Sequence, residues 1–142
     1  MQVDFYQLGR DPLVTVLASI AARVLAGGGR LLVVTGDDDQ ARAIDEGLWA
    51  GSIDGFLPHG RDGADQPVLI AESCDPANTA RHVALVDGVW RDEACGFDRA
   101  FHFFDDGSIE AARAAWRGLR GRDGVESRYW KQDEGGRWGQ MA

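Results

Sequence analysis

Three features of the sequence predict an α/β fold: a single three-layer α/β/α domain around a mainly parallel central sheet. Apolar runs bounded by turn residues alternate with segments of helical spacing along most of the 142 residues. The run RLLVVT, Arg30 to Thr35, lacks polar alternation, as expected of a parallel strand buried on both faces. No repeat or linker divides residues 1–142, and this length suits one hydrophobic core.

VDFYQL, Val3 to Leu8, alternates like an opening strand. PLVTVLASIAARVLA, Pro12 to Ala26, has helical spacing with proline at its first turn, and the glycines at 27–29 stop it. After the buried run at 30–35, GDDD supplies caps for a helix from about Gln40 to Trp49. QPVLIAES (66–73) and RHVALVDG (81–88) read as two more strands around the turn-rich CDPANTA. RAFHFF, Arg99 to Phe104, is a strand leading into a helix that starts at Ser108. VESRYWKQ (125–132) closes the series as a strand, and residues 133–142 read as a polar, glycine-rich tail.

The charge balance narrows the function. There are 23 acidic and 15 basic side chains, a formal net charge of -8. Direct strong nucleic-acid binding is not expected, because generic phosphate binding is driven by Lys and Arg releasing counterions. Cys74 and Cys95 have no CxxC spacing, and His59, His82 and His102 are dispersed, so the reading is unpaired core thiols and no metal site. No apolar run nears the roughly 18 residues of a membrane span. The start MQVDFYQL lacks the basic and small-residue features of a signal peptide, so a cytoplasmic protein is expected.

A sheet of this kind invites a nucleotide, and the glycine clusters do not support one. A phosphate loop places its glycines after a strand and before a helix, whereas those at 27–29 precede their strand. The loop in the correct place, TGDDDQ at 35–40, sets carboxylates where a phosphate would sit. Asp37, Asp38 and Asp39 therefore read as helix caps and dipole partners. With no Ser-His-Asp or Cys-His arrangement, the expectation is a Rossmann-like scaffold without a nucleotide site, cofactor or catalytic residues. A nucleotide-dependent enzyme on the same scaffold is the alternative.

Two aromatic patches remain. In the second helix Ala41, Ile44 and Leu48 form the core stripe, which leaves Trp49 on a polar flank with Arg42 and Asp45. If the following segment is extended, Phe56 and Pro58 share one side, opposite Ile53 and Leu57, and can join Trp49 in a docking surface or in a local lid. In the last helix Arg113, Trp116, Arg117 and Arg120 share one face, leaving Ile109, Ala112, Ala115 and Leu119 to pack inward. Arg122, Arg128 and Lys131 follow, so the basic residues concentrate here in an otherwise acidic chain. A tryptophan among arginines suits an acidic ligand with an apolar anchor, although a solvated helix face accounts for an arginine stripe equally.

The sequence resembles the chi subunit of bacterial DNA polymerase III holoenzyme along nearly its whole length. DFYQL, AIDEGLWAGSIDGFLPHG, QPVLI and ARAAWR carry the likeness, and RYWKQDEGGRW is similar to a variant with a Tyr-Trp strand and a Gly-Trp tail. The resemblance implies a noncatalytic replisome subunit, a monomer by itself. It implies binding to the acidic C-terminal tail of single-stranded DNA-binding protein (SSB), aspartates ending in Pro-Phe, and a tie to the clamp-loader complex through the psi subunit. A substitute partner such as a helicase can stand in psi's place. The psi-side surface maps to Trp49, Phe56, Pro58 and His59, and the SSB-tail site to Arg113, Trp116 and Arg117. A further basic residue of the family at the start of this helix falls near Ile109 and Glu110, so Arg120 or Arg128 is expected to take its part.

Overall fold

A computed structural model describes residues 1–50 and 57–142. Eight strands form one sheet: β1 (Gln2–Gln7), β2 (Leu31–Val34), β3 (His59–Gly60), β4 (Val68–Ala71), β5 (His82–Leu85), β6 (Arg99–Phe104), β7 (Glu126–Gln132) and β8 (Trp138–Gln140). Their order is β3-β4-β2-β5-β6-β1-β7-β8, with every pairing parallel except β7 with β8. The helices are α1 (Leu13–Ala26), α2 (Asp38–Ala50) and α3 (Ile109–Leu119). The expected α/β architecture is what forms.

Strand alternation divides the core between the two sheet faces. Leu31, Val33, Phe101 and Phe103 turn toward α1 and α2, packing on Leu17, Ile20, Ala41, Ile44 and Leu48. Leu32, Val34, Val3, Phe5 and Phe104 turn the other way, toward Ala112 and Leu119 of α3. Gly47 permits the close approach of α1 and α2, since a β-carbon there would lie 2.9 Å from Val14 Cγ1. Gly28, at φ +83°, provides the left-handed turn that ends α1.

Some elements differ from expectation. The 133–142 segment is not merely a tail: Trp138 to Gln140 pair antiparallel with β7, Gln132 opposite Trp138. Here backbone pairing to a long neighbour compensates for a weak local pattern. A two-residue strand, β3, and a 3-10 turn at Asp92–Gly96 were also not anticipated. Cys74 and Cys95 are unpaired as expected, but partly exposed at the margin of the core rather than inside it.

Candidate functional site

The loop after β2 behaves as a cap. Asp37 Oδ1 accepts from Gln40 N at 2.8 Å, and Asp38 pairs with Arg42 at 3.0 Å and also with Arg61. The hydrogen bond and charge of Arg61 hold the Asp38 carboxyl below its usual range. Beside this loop, where an α/β sheet ordinarily receives a ligand, Asp87 and Arg91 form two hydrogen bonds of 2.8 Å. Asp87 also abuts the turn: a β-carbon on Gly36 would lie 2.9 Å from Asp87 Oδ2. A carboxylate of the chain itself thus occupies the neighbourhood in which a phosphate would need donors. Among the described residues, no group of three or more His, Cys, Asp or Glu side chains is placed to hold a metal.

At the end of α2, Ala41, Ile44 and Leu48 are buried and Trp49 is 54% exposed, as the helical spacing predicts. His59 is different from the surface residue expected: its side chain is fully buried. Its Nδ1 lies 2.7 Å from the Leu57 carbonyl oxygen and its Nε2 3.0 Å from Asp45 Oδ1. The imidazole also sits 4.8 Å from the Trp49 ring, so it supports the tryptophan from beneath and ties the chain to α2. Pro58 is partly exposed nearby in sequence, and Phe56 lies outside the described residues.

The second patch is built on α3. A capping box joins Asp105 and Ser108 just ahead of the helix, with Gly107 N donating to Asp105 Oδ1 at 3.0 Å. Ala112 and Leu119 are buried, Ile109 and Ala115 partly so, while Arg113, Arg117 and Arg120 are exposed. Trp116 does not stand out among the arginines as the spacing suggests. It is half-buried, meeting Phe5 edge-on at 5.4 Å and Tyr129 at 6.0 Å. Helical side chains reach back over the preceding turn, which carries a large ring from the flank of the stripe onto the sheet.

Trp116 borders a groove of about 300 Å³ with Leu119, Arg120, Gly121, Val125, Ser127 and Ala142. Ser127 Oγ is buried there without a hydrogen-bond partner. Arg113 is bonded to Glu110 at 2.9 Å and Arg122 reaches Asp92 at 3.5 Å. Among the described residues Arg117 and Arg120 make no ion pair, so both charges are available to a ligand. Arg128 is not part of this site. It lies opposite Asp4 in the β1–β7 register, on the other face of the sheet from Ser127 and Tyr129, and bonds Glu126 at 3.3 Å. Of the two, Arg120 is the one that lines the groove.

Sequence reasoning missed a third cluster, Tyr6, Trp130 and Trp138, on the α1 side of the sheet. Tyr6 and Trp130 are opposite in register, with rings 6.4 Å apart at 13°, and Trp138 meets Tyr6 edge-on at 5.4 Å. Strand parity could have placed Tyr6 and Trp130 on one face, but only the β7–β8 pairing brings in Trp138.

Residues 1–126 match the family described as DNA polymerase III chi subunit, HolC. The chain is 28% identical over 130 residues to DNA polymerase III subunit chi of Escherichia coli (strain K12), covering 82% of this chain and 88% of that protein. No helix among the described residues is long and apolar enough to cross a membrane. With a family match over residues 1–126 of its 142, this chain belongs to the DNA polymerase III chi subunit family.

Proposed function

We propose that the chain is a noncatalytic accessory subunit in DNA replication that links SSB to the clamp-loader complex. The SSB tail binds at the α3 groove, and psi, or a helicase in its stead, docks at Trp49. The observation that carries this reading is the groove beside Trp116, where an aromatic wall adjoins arginines without ion pairs. A terminal Phe packs beside the indole, Arg120 and the Ser127 hydroxyl meet its carboxylate, and Arg113 and Arg117 attract the aspartates. Charged hydrogen bonds of about 1.5–3 kcal/mol and a buried Phe of about 1.5–3 kcal/mol, offset by ordering the tail, give binding on the order of micromolar.

Calorimetric titration with a tail peptide tests the assignment. Arg120→Ala should cost about 2 kcal/mol, Arg122→Ala and Arg128→Ala little, and removal of the terminal Phe more than removal of one aspartate. Binding should weaken as salt rises. Trp116→Tyr, which keeps the edge contacts, should retain most of the affinity, whereas Trp116→Ala should lose about 2 kcal/mol or more. Equal small losses at every arginine would indicate a diffuse charged surface instead of a groove.

The Trp49 surface is tested separately. Trp49→Ala, alone or with Phe56→Ala, should abolish co-elution with the clamp-loader complex in gel filtration while tail binding persists. Exposure of the indole means the single variant should melt close to the unaltered protein. Retained co-elution would remove Trp49 from that interface.

A further inference from the structure

We propose a second ligand site on the opposite face of the sheet from α3: a groove along α1 that takes a nucleotide, with its base on the Tyr6–Trp130–Trp138 floor and its phosphate beside Arg23, Arg99 and His82. The floor arises because Phe103, Tyr6 and Trp130 stand side by side on β6, β1 and β7. Their rings are nearly parallel from neighbour to neighbour, at 5.4 Å and 18° for Tyr6 with Phe103 and 6.4 Å and 13° for Tyr6 with Trp130. Tyr6, Trp130 and Trp138 are only partly buried and border a cavity of about 410 Å³ with Asp11, Thr15 and Ser19. Trp138 stands across Tyr6 at 87°, so a base stacks on one ring face and abuts the next edge-on, which any base can do because every base has a π face.

The same residues Tyr6, Arg23 and Arg99 also border an adjoining cavity of about 230 Å³, where His82 enters the lining. Arg23 is exposed on the last turn of α1 and makes no ion pair among the described residues. Arg99 directs Nε and Nη2 at Asp4, each at 2.8 Å, and its Nη1 has no partner among the described residues. His82 Nδ1 is buried without a hydrogen bond. One end of the groove thus holds two guanidinium groups with unused capacity and a net positive charge, since Asp4 balances only one of the two arginines, and His82 lines the same end. Asp11 lies at the other end, where it can accept from a base amine.

A planar anion of nucleotide size fits this division better than an acidic peptide. A tail of aspartates would meet a single uncompensated arginine here, and a floor spanning several strands is broader than one Phe ring. The combined space falls within the range of small-ligand sites. The formal charge of -8 favours a free nucleotide over a strand whose flanking phosphates would face an acidic surface. Trp130 and Trp138 fall beyond residues 1–126, the stretch the family match covers, whereas Tyr6, Arg23, His82 and Arg99 fall within it.

The test is titration of the full chain with deoxyadenosine monophosphate, followed by calorimetry and by NMR of the indole N–H groups. The nucleotide should bind saturably with shifts at Trp130 and Trp138, and deoxyadenosine, lacking the phosphate, should bind at least tenfold more weakly. Arg23→Glu and Ser19→Glu, both at exposed positions on α1, should each weaken binding at least tenfold while SSB-tail binding is unchanged. A ten-residue oligothymidylate binding more tightly than the mononucleotide would assign the same site to unpaired DNA. The proposal is overturned if neither probe binds up to millimolar concentration, if both variants bind like the unaltered protein, or if shifts are confined to Trp116.

Discussion

Replacing His102 with Leu should stabilise the protein, and the gain should grow by about 3 kcal/mol as the pH falls from 7 to below 4. His102 is fully buried on β6, ringed by Phe5 at 5.3 Å, Trp90 at 5.8 Å and Phe104 at 6.1 Å. Neither ring nitrogen has a hydrogen-bond partner. Burial pushes its pKa from 6.5 down to about 4, with the Asp87 charge opposing the shift and Arg91 adding to it. Protons therefore bind the unfolded chain more readily than the folded one between about pH 6.5 and 4. The folded state loses stability across that window as pH falls, with no further loss from this group below it. Leu cannot take up the proton, and it also removes two unsatisfied polar atoms that cost about 1–3 kcal/mol at any pH. Urea unfolding of both proteins across this range measures the effect. A stability gap that stays constant with pH would show that His102 is protonated equally in both states.

The second large effect concerns the ion pair beneath the Trp130 ring. Asp4 is fully buried, while the Arg99 side chain is 39% exposed and also lies 4.8 Å from the centre of the Phe101 ring. The remaining donors to Asp4 are Gln2 Nε2 at 3.1 Å and Trp130 Nε1 at 3.0 Å. Arg99→Ala leaves a carboxylate inside the sheet with neutral partners only, and should cost about 3 kcal/mol, the lower end for a broken buried pair because Arg99 is partly solvated. Asp4→Asn in the same background should recover much of that loss, since the amide brings no charge to strand. A double-mutant cycle in urea provides the measurement. Additive losses from the two substitutions would mean that the pair contributes no coupling and that Arg99 acts through packing alone.

What could be read in the sequence was what a local period encodes. The stripe of Ala41, Ile44 and Leu48, the exposure of Trp49 and the doubly buried strand around Leu31 to Val34 all follow from spacing along one element. Three site residues went elsewhere because their placement depends on a second element. Arg128 follows α3 closely in sequence, but its face is set by the β1–β7 register, which puts it opposite Asp4. His59 follows a proline and looks like a loop residue, yet Asp45 of α2 and the Leu57 carbonyl receive its ring nitrogens. Trp116 lies on the basic flank by angle alone, and the length of its side chain returns it to Phe5. The Tyr6 floor was hidden for the same reason: Trp138 is an isolated apolar residue among polar ones until a neighbouring strand supplies its pairing.

The central position of β1 also bears on the order in which the molecule is assembled. Gln2 stands opposite Arg99 on one side and Glu126 on the other, so β1 finds its hydrogen-bonding neighbours only in strands synthesised about a hundred residues later. Strands β2, β4 and β5 pair among themselves and can collect during synthesis, while β1 waits as an unpaired edge. Closure over such sequence distances carries a loop-entropy cost and slows folding. Completion of the sheet and arrival of α3 and β7 are then nearly one event. A chain interrupted before that point would leave β1 with neither of its strand partners, an open edge to which another chain could pair.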